Sequence, residues 1–346
     1  MIQHETKNKE RLQEKIQQAD KKEKYTYDQG VKRLGFDPIK HFPDVFSKKK
    51  ATELPPLRSI NHKIDMIDKE QYRQLRCRRI KPKEAFMQQL RQKQDAELDS
   101  GRVYPVQDSS ACSIFMIPKI DKPQEVRFLH DLVERNKLTR KDHTPIPDIP
   151  SILNTFAKHP FRSMIDITDG YHNVRIDPSS EEFTSFYISN MGTYQTRVMQ
   201  QGDCNEPATF MKLMHEVFAD MIGKNLYLYL DDILIFTKTM DEHIKILKEV
   251  CQRLRQNKLY GNKSKTTILP AALEILEHTI TSEGLSAAPD KILQVNNWPT
   301  PKRRKELQGF IGMLNYLSAY IARLATVAAP LPRMCGDTVK FEMAPI

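Results

Sequence analysis

Cysteine is scarce in this chain and never in an arrangement that would give it a structural role. Cys77, Cys112, Cys204, Cys251 and Cys335 are the five among 346 residues, and no two stand at C-x-x-C spacing. That argues against a zinc knuckle or a disulfide framework and suits a reducing compartment. No apolar run is long enough to cross a bilayer, so no membrane partner is expected, and no signal-peptide pattern opens the chain. The expected location is intracellular, in a cytoplasmic particle or the nucleus. A P-loop sequence is missing, which argues against an ATP-driven motor. Internal repeats and low-complexity tracts are absent too. The triplet Asp99-Ser100-Gly101 is like that of aspartic proteases but follows a polar helical pattern, with Gly101 suited to a helix C-terminus. A protease triplet should follow an apolar strand, so that activity is set aside.

What the chain has in quantity is charge. Its 54 Lys and Arg against 44 Asp and Glu give a net charge of +10. The balance suits a polyanionic partner such as nucleic acid, although a generally solvated basic surface explains it as well. Residues 1–50 are charged and poor in large apolar groups, and a flexible tail is expected there.

Two adjacent acids, Asp231 and Asp232, interrupt an apolar stretch running from Leu226 to Phe236. Strand-favouring flanks separated by only two residues predict a β-hairpin with both aspartates at its tight turn. Adjacent carboxylates repel there, and a divalent cation would relieve the repulsion. A solvent-facing Asp-Asp turn is the plainer explanation. Upstream, Asp166 lies between apolar neighbours in Ser163-Met164-Ile165-Asp166-Ile167, as at the end of a buried strand, and Asp169-Gly170 marks a turn. An acid inside an apolar strand is costly unless it is paired or binds a metal, so a salt-bridged strand end is the alternative for Asp166. Three such carboxylates are what a two-metal phosphoryl-transfer centre needs, with ions ~3.5–4 Å apart serving the attacking oxygen and the leaving group.

Helical patterns surround these acids. A helix is predicted around Lys83 to Leu98 and a short one near Ile149 to Phe156. Another should follow Asn205 as N-cap and Pro207 in the first turn, burying Phe210, Leu213, Met214, Val217 and Met221. Thr239 and Glu242 form a capping box for a helix reaching about Asn257, with Ile244, Leu247, Val250, Cys251 and Leu254 on its buried stripe. Thr300 and Pro301 are expected to open a further helix carrying Leu307, Phe310, Ile311, Leu314 and Leu317. The Gln201-Gly202 turn before Asn205 could let backbone approach a flat ligand, because Gly lacks a side chain.

Ordered matches then accumulate: Phe42-Pro43-Asp44-Val45-Phe46, Leu54-Pro55-Pro56-Leu57-Arg58, Phe115-Met116-Ile117-Pro118-Lys119 and Arg127-Phe128-Leu129-His130-Asp131. Asp166 to Ile176, Pro207-Ala208-Thr209-Phe210, Tyr229-Leu230-Asp231-Asp232-Ile233, Trp298-Pro299 and Lys305-Glu306-Leu307 continue the series. In these the chain resembles the reverse transcriptase domain of gypsy-class LTR retrotransposon Pol polyproteins. The resemblance implies an α+β fold, a right-hand polymerase with fingers, palm and partial thumb and an antiparallel palm sheet. It divides the chain into a tail at 1–50, fingers and palm at 51–285, and a thumb-like helical region at 286–346 that stops before any RNase H domain. The implied activity is RNA-directed DNA polymerisation, extending a primer strand on an RNA or DNA template from deoxynucleoside triphosphates. Two Mg²⁺ ions are the implied cofactors, with Mn²⁺ as an alternative. Other segments of the same polyprotein are further candidate partners.

The family's site residues carry over by position. Asp166, Asp231 and Asp232 become the catalytic, metal-binding carboxylates. Tyr171 falls at the aromatic steric gate against a ribose 2′-hydroxyl. Lys119 and Arg127 fall where the triphosphate is held, Lys as a point charge and Arg as a forked donor. Gln201 falls at a contact to the incoming nucleotide or template, and Leu276, Glu277 and His278 fall where the primer end is steadied.

Three stretches depart from the family pattern. Gln200-Gln201-Gly202-Asp203-Cys204-Asn205-Glu206 replaces a more apolar turn while keeping Gln-Gly. Glu277 stands in place of a glycine and puts a negative charge near an expected phosphate backbone, which weakens primer binding. Lys119-Ile120-Asp121-Lys122-Pro123 replaces a Lys-Lys-Asp-Gly turn. These departures favour the rival reading, a catalytically inactive retroelement remnant that only binds nucleic acid, whereas the presence of all three acids opposes it.

Overall fold

The computed structural model describes residues 27–76, 80–108, 110–118, 124, 126–144, 148–275, 278–281 and 284–336. They fall into two compact units, one of Tyr27–Asp148 with His159–Leu269, the other of Ile149–Lys158 with the described residues from Pro270 onward. The second unit takes in Pro270 to Ala287, so it starts before the boundary expected at residue 285.

In the larger unit, strands β1 (Val103–Pro105), β2 (Cys112–Pro118), β3 (Val126–His130), β5 (Phe186–Ile188) and β6 (Gly192–Thr196) form a sheet in the order β1-β6-β5-β2-β3. Only β2 and β5 run parallel; the other neighbours are antiparallel. Helix α1 (Met87–Asp99) supplies Leu90 to the core beneath this sheet, and Leu132, just before the short helix α2 (Val133–Lys137), joins the same cluster.

A second, wholly antiparallel sheet has the order β7-β8-β4-β9, from β4 (Phe161–Asp166), β7 (Leu226–Tyr229), β8 (Asp232–Thr237) and β9 (Thr267–Ile268). Ile165, Leu228, Ile233 and Ile235 share a core with Phe210, Met214 and Phe218 of α3 (Glu206–Phe218) and with Leu247, Val250, Cys251 and Leu254 of α4 (Met240–Gln256). The apolar positions predicted for both helices are buried except Ile244, which is only partly buried against the same core. The α4 cap forms as expected at Thr239, whose hydroxyl accepts from the Glu242 amide, and Glu242 reaches back to the Lys238 amide.

Residues 27–51 correct the expected tail. Helices at Tyr27–Leu34, Pro38–His41 and Lys48–Ala51 place Leu34, Phe36, Phe42, Val45 and Phe46 in the same core. The charged side chains that suggested disorder lie outward, and some pair with α4: Asp44 takes Arg255 at 2.6 Å, and the Arg255 guanidinium covers Phe42 at 4.7 Å. The rest of the expected tail, residues 1–26, lies outside the described residues.

In the smaller unit, β10 (Leu273–Ile275), β11 (His278–Thr281) and β12 (Gly284–Ala287) make an antiparallel sheet. Helices α5 (Pro289–Asn296) and α6 (Arg304–Tyr316) follow. Helix α6 begins at Arg304 rather than at Thr300-Pro301, because the residues from Pro299 to Lys302 form no helix and the Lys302 amide instead donates to Glu306 at 2.8 Å. No helix among the described residues is long and apolar enough to cross a membrane.

Candidate active site

Strand register puts two of the three predicted acids side by side. Asp166, the last residue of β4, is the ladder partner of Asp232, the first residue of β8. Directly opposite residues of an antiparallel pair project from one face, within about 5 Å at Cβ, where like charges destabilise the sheet. Asp232 is also paired with Tyr229 across the hairpin, so the turn consists of Leu230 and Asp231 rather than of both aspartates. Leu230 takes the left-handed backbone, with φ 50°. The expected Asp-Asp turn is thus displaced by one residue, because Asp232 is drawn into the ladder by its neighbours in β4. Asp231 closes on the same place through its backbone, whose carbonyl accepts from the Ile167 amide at 2.8 Å.

A segment from Tyr260 to Asn262 seals the other side of this strand end. Its Asn262 amide donates to the Asp166 carbonyl at 2.7 Å, and the Thr168 amide donates to the Tyr260 carbonyl at 2.7 Å. Gly261 makes this approach possible: a Cβ there would lie 2.6 Å from the Phe46 ring and 3.2 Å from Ile165. Beyond β4, Asp169 in the left-handed region at φ 46° turns the chain into a 3₁₀ helix, Gly170–Asn173, which carries Tyr171. Gly170 is needed there too, since a Cβ would meet the Phe210 ring at 2.9 Å. The Tyr171 ring packs edge-on against Phe210, with centroids 5.7 Å apart.

These elements line a cleft of about 490 Å³. Asp166, Asp231, Tyr171, Arg127 and Gln201, five of the sequence-predicted site residues, all lie in its wall. Arg127 lies on β3, which runs antiparallel to β2, with Arg127 opposite Ile117. It is exposed, as is Gln201. Lys119, Leu276 and Glu277 lie outside the described residues. His278 belongs to the smaller unit, 7% exposed, its ring nitrogens 3.1 Å from the Tyr316 hydroxyl and 2.6 Å from that of Tyr320.

Sequence reasoning passed over Lys265 in the cleft wall and a buried ionic cluster elsewhere in the same unit. Lys265 places its ammonium 2.9 Å from the Asp166 carboxylate. Nothing local signals that pair, which closes across 99 positions. Asp203 is buried against Arg135, with His62 Nε2 3.3 Å away, and Arg135 also donates to the side chain of Gln200. Asn205 does precede α3 as expected, but it does not cap that helix. Its amide is spent on the Asp142 amide at 2.9 Å and the Arg140 carbonyl at 2.9 Å.

The electrostatics separate these acids. Burial, followed by the charges of Asp231 and Asp166, pushes the Asp232 carboxyl up to about 7. Asp166 is also raised, by burial first and then by Asp231, against the opposing pull of Lys265. For Asp203, burial is the largest influence and raises it, but the Arg135 charge and His62 outweigh burial and leave its pKa lowered. Burial raises the Glu206 carboxyl to about 7, with Asp203 adding to the shift, and raises the Tyr171 hydroxyl to about 12.

The donor set at the strand end fits a hard divalent cation: carboxylates gathered at one end of two paired strands, one of them raised to about 7 by burial and by its acidic neighbours. Asp166 already attracts a cation in Lys265. Among the described residues, no three His, Cys, Asp or Glu side chains are gathered closely enough to hold a metal as they stand.

Comparison with known proteins gives these residues a context. The family described as "Reverse transcriptase (RNA-dependent DNA polymerase)" matches residues 117–298, more than half of the chain. A Drosophila melanogaster protein, the retrovirus-related Pol polyprotein from transposon opus, is 31% identical over 243 residues, covering 69% of this chain and 24% of its own length. The Tf2-3 transposon polyprotein of Schizosaccharomyces pombe is 26% identical over 310 residues, 89% of this chain and 23% of its own. The chain therefore spans about a quarter of the length of these relatives. Among solved structures, the foamy viral protease–reverse transcriptase in complex with dsDNA superimposes with a TM-score of 0.76 at 20% identity, over 93% of this chain and 66% of that one. The same protein in complex with an RNA/DNA hybrid gives 0.71 at 20% identity, over 94% and 42%. The fold is thus that of a polymerase palm and fingers.

Proposed function

Because the chain belongs to the reverse transcriptase family, we propose that this cleft is the polymerising centre of a gypsy-class LTR retrotransposon enzyme. It extends a primer strand on an RNA or DNA template with deoxynucleoside triphosphates. The observation that carries the reading is the convergence of Asp166, Asp231, Arg127, Tyr171 and Gln201 on one cleft, with Asp232 paired to Asp166 in the sheet beside it. Foamy viral relatives of the same fold are described with dsDNA and with an RNA/DNA hybrid, which supports nucleic acid as the partner here.

Asp166, Asp231 and Asp232 would hold two Mg²⁺ ions, or Mn²⁺ in their place. When bound, such ions lower the pKa of a primer 3′-hydroxyl and neutralise charge on leaving pyrophosphate. The protein's own contribution is to bring Asp166 and Asp232 together at the ends of two paired central strands, with Asp231 in the adjoining turn, and to supply Lys265 as a provisional counter-charge. Arg127, exposed at the cleft wall, forks onto the triphosphate together with Lys119. Tyr171, fixed by Phe210, fills the volume a 2′-hydroxyl would need. Gln201 meets the nascent base pair. Leu276, Glu277 and His278 fall at the family's primer-contacting positions, where the negative charge of Glu277 weakens the hold on a phosphate backbone. Residues 51–285 then act as fingers and palm and 286–346 as a thumb-like region. Other segments of a polyprotein are the natural protein partners, in a cytoplasmic particle or the nucleus.

Primer extension on an RNA template with Mg²⁺ tests the reading. Wild-type protein should add deoxynucleotides, and Tyr171→Val should raise ribonucleotide incorporation by about 10- to 100-fold relative to deoxynucleotide. A wild-type protein that binds template–primer yet adds nothing would support the inactive remnant instead.

A further inference from the structure

Gln201 stands at the tip of a turn that is braced from several sides, and one of the braces is a buried carboxylate. Asn136 holds the turn from below, its Nδ2 donating to the Gly202 carbonyl at 2.9 Å and its Oδ1 accepting from the Cys204 amide at 3.2 Å. The side chains of Gln200 and Asp203 are tied to Arg135. The Gly202 amide, immediately after Gln201, donates to Oε2 of Glu206 at 2.9 Å. Gly202 has φ 102°, a backbone that side-chain-bearing residues rarely adopt, so this amide is aimed by an unusual conformation. Glu206 is only 9% exposed, and the charged or titratable groups facing it are Asp203, Arg135 and Tyr171.

A carboxylate in such a place is expensive. Helix geometry offers one compensation, since an acid in the first turn of α3 meets the positive end of the macrodipole. That alone would favour an acid pointing to solvent, whereas this one turns back onto the backbone next to Gln201. We propose that Glu206 is a positioning residue for the incoming nucleotide: by fixing the Gly202 N–H it orients Gln201 into the cleft. The proposal rests on the cleft being the nucleotide subsite. It concerns a residue in the stretch where this chain departs most from the family pattern.

Steady-state primer extension separates positioning from mere stability. Glu206→Ala should raise KM for the incoming deoxynucleotide by about five- to tenfold, with kcat and template–primer affinity within about twofold of wild type. Glu206→Gln keeps an acceptor oxygen and should restore KM to within about twofold of wild type. Glu206→Asp keeps the charge but shortens the reach, so it should behave like alanine; it serves if the alanine variant melts below the assay temperature. An unchanged KM in both truncated variants, or a glutamine variant as impaired as alanine, would overturn the proposal. Amide exchange at Gly202 reads the brace without catalysis: faster in Glu206→Ala and unchanged in Glu206→Gln. A wild-type chain that fails to polymerise while showing that exchange pattern would remove the nucleotide reading but not the brace.

Discussion

Asp203 and Asp232 are both drawn out of water in the same unit, and the chain treats them in opposite ways. Asp203 is given Arg135, His62 and a backbone amide, and its pKa ends below the ordinary aspartate value despite burial. Asp232 is given two more carboxylates as neighbours, and burial with those charges pushes it up to about 7. A partnered acid of the first kind holds the fold together. An acid of the second kind is a cost that the fold carries, and a bound cation would relieve it.

That contrast is broken or sharpened by perturbing each acid in turn. The largest effect is expected at the unpartnered one. Asp232→Asn should lower the rate of primer extension by about a thousandfold or more while leaving template–primer affinity within a few-fold. Extension within tenfold of wild type would mean that the strand-end acids do not act together. Next comes the partnered site, where Arg135→Met leaves Asp203 charged with only His62 and the Asn205 amide beside it. Urea denaturation should show a loss of about 3–5 kcal/mol, most of which the double variant Arg135→Met/Asp203→Leu recovers. A small loss in the single variant would show that Asp203 is not held by that ion pair.

The pH dependence of stability should differ in sign between the two acids. For Asp232 the folded pKa of about 7 lies above the ordinary 3.8. Its folded form binds the proton more tightly, so its contribution is fully present below about 3.8 and is lost as pH rises to about 7. In chelator-treated protein, the melting temperature of Asp232→Asn should therefore gain on wild type across that window and then level off. Asp203 is lowered, so it stabilises above the ordinary aspartate value, and the penalty of Asp203→Asn should shrink as pH falls through and below it. Parallel profiles for the two variants would erase the distinction. The smallest effect belongs to Lys265, whose side chain is 61% exposed. Removing this competitor in Lys265→Met should tighten Mn²⁺ binding only about two- to fivefold, and weaker binding would assign the lysine a different role.

Much of this was legible in the sequence where the signal is local. The strand-favouring flanks of Asp231-Asp232, the apolar setting of Asp166, the Thr239–Glu242 cap and most of the stripes of α3 and α4 correspond to observed elements. Register was harder. The hairpin turn moved by one residue, to Leu230-Asp231, because the pairing of Asp232 with Asp166 is a fact about two strands rather than one. Residues 27–51 were misread from their charge, since a few spaced apolar side chains such as Phe36, Val45 and Phe46 suffice to bury a segment whose other positions face water. Partners far apart in the chain were invisible. Lys265 with Asp166, and Arg135 with Asp203, leave no periodicity for a linear reading to detect. Asn205 occupies the expected position before α3 yet spends its side chain on a neighbouring loop, a choice that only the packed structure reveals.

The most direct measurement is a Mn²⁺ titration followed by electron paramagnetic resonance on the wild type and on Asp166→Asn, Asp231→Asn and Asp232→Asn, with template–primer and deoxynucleotide present. Wild-type protein should sequester Mn²⁺ at the cleft, and each substitution should release at least about tenfold more free ion at the same total concentration. Equal binding by all four proteins would contradict the claim that these three carboxylates share a metal site.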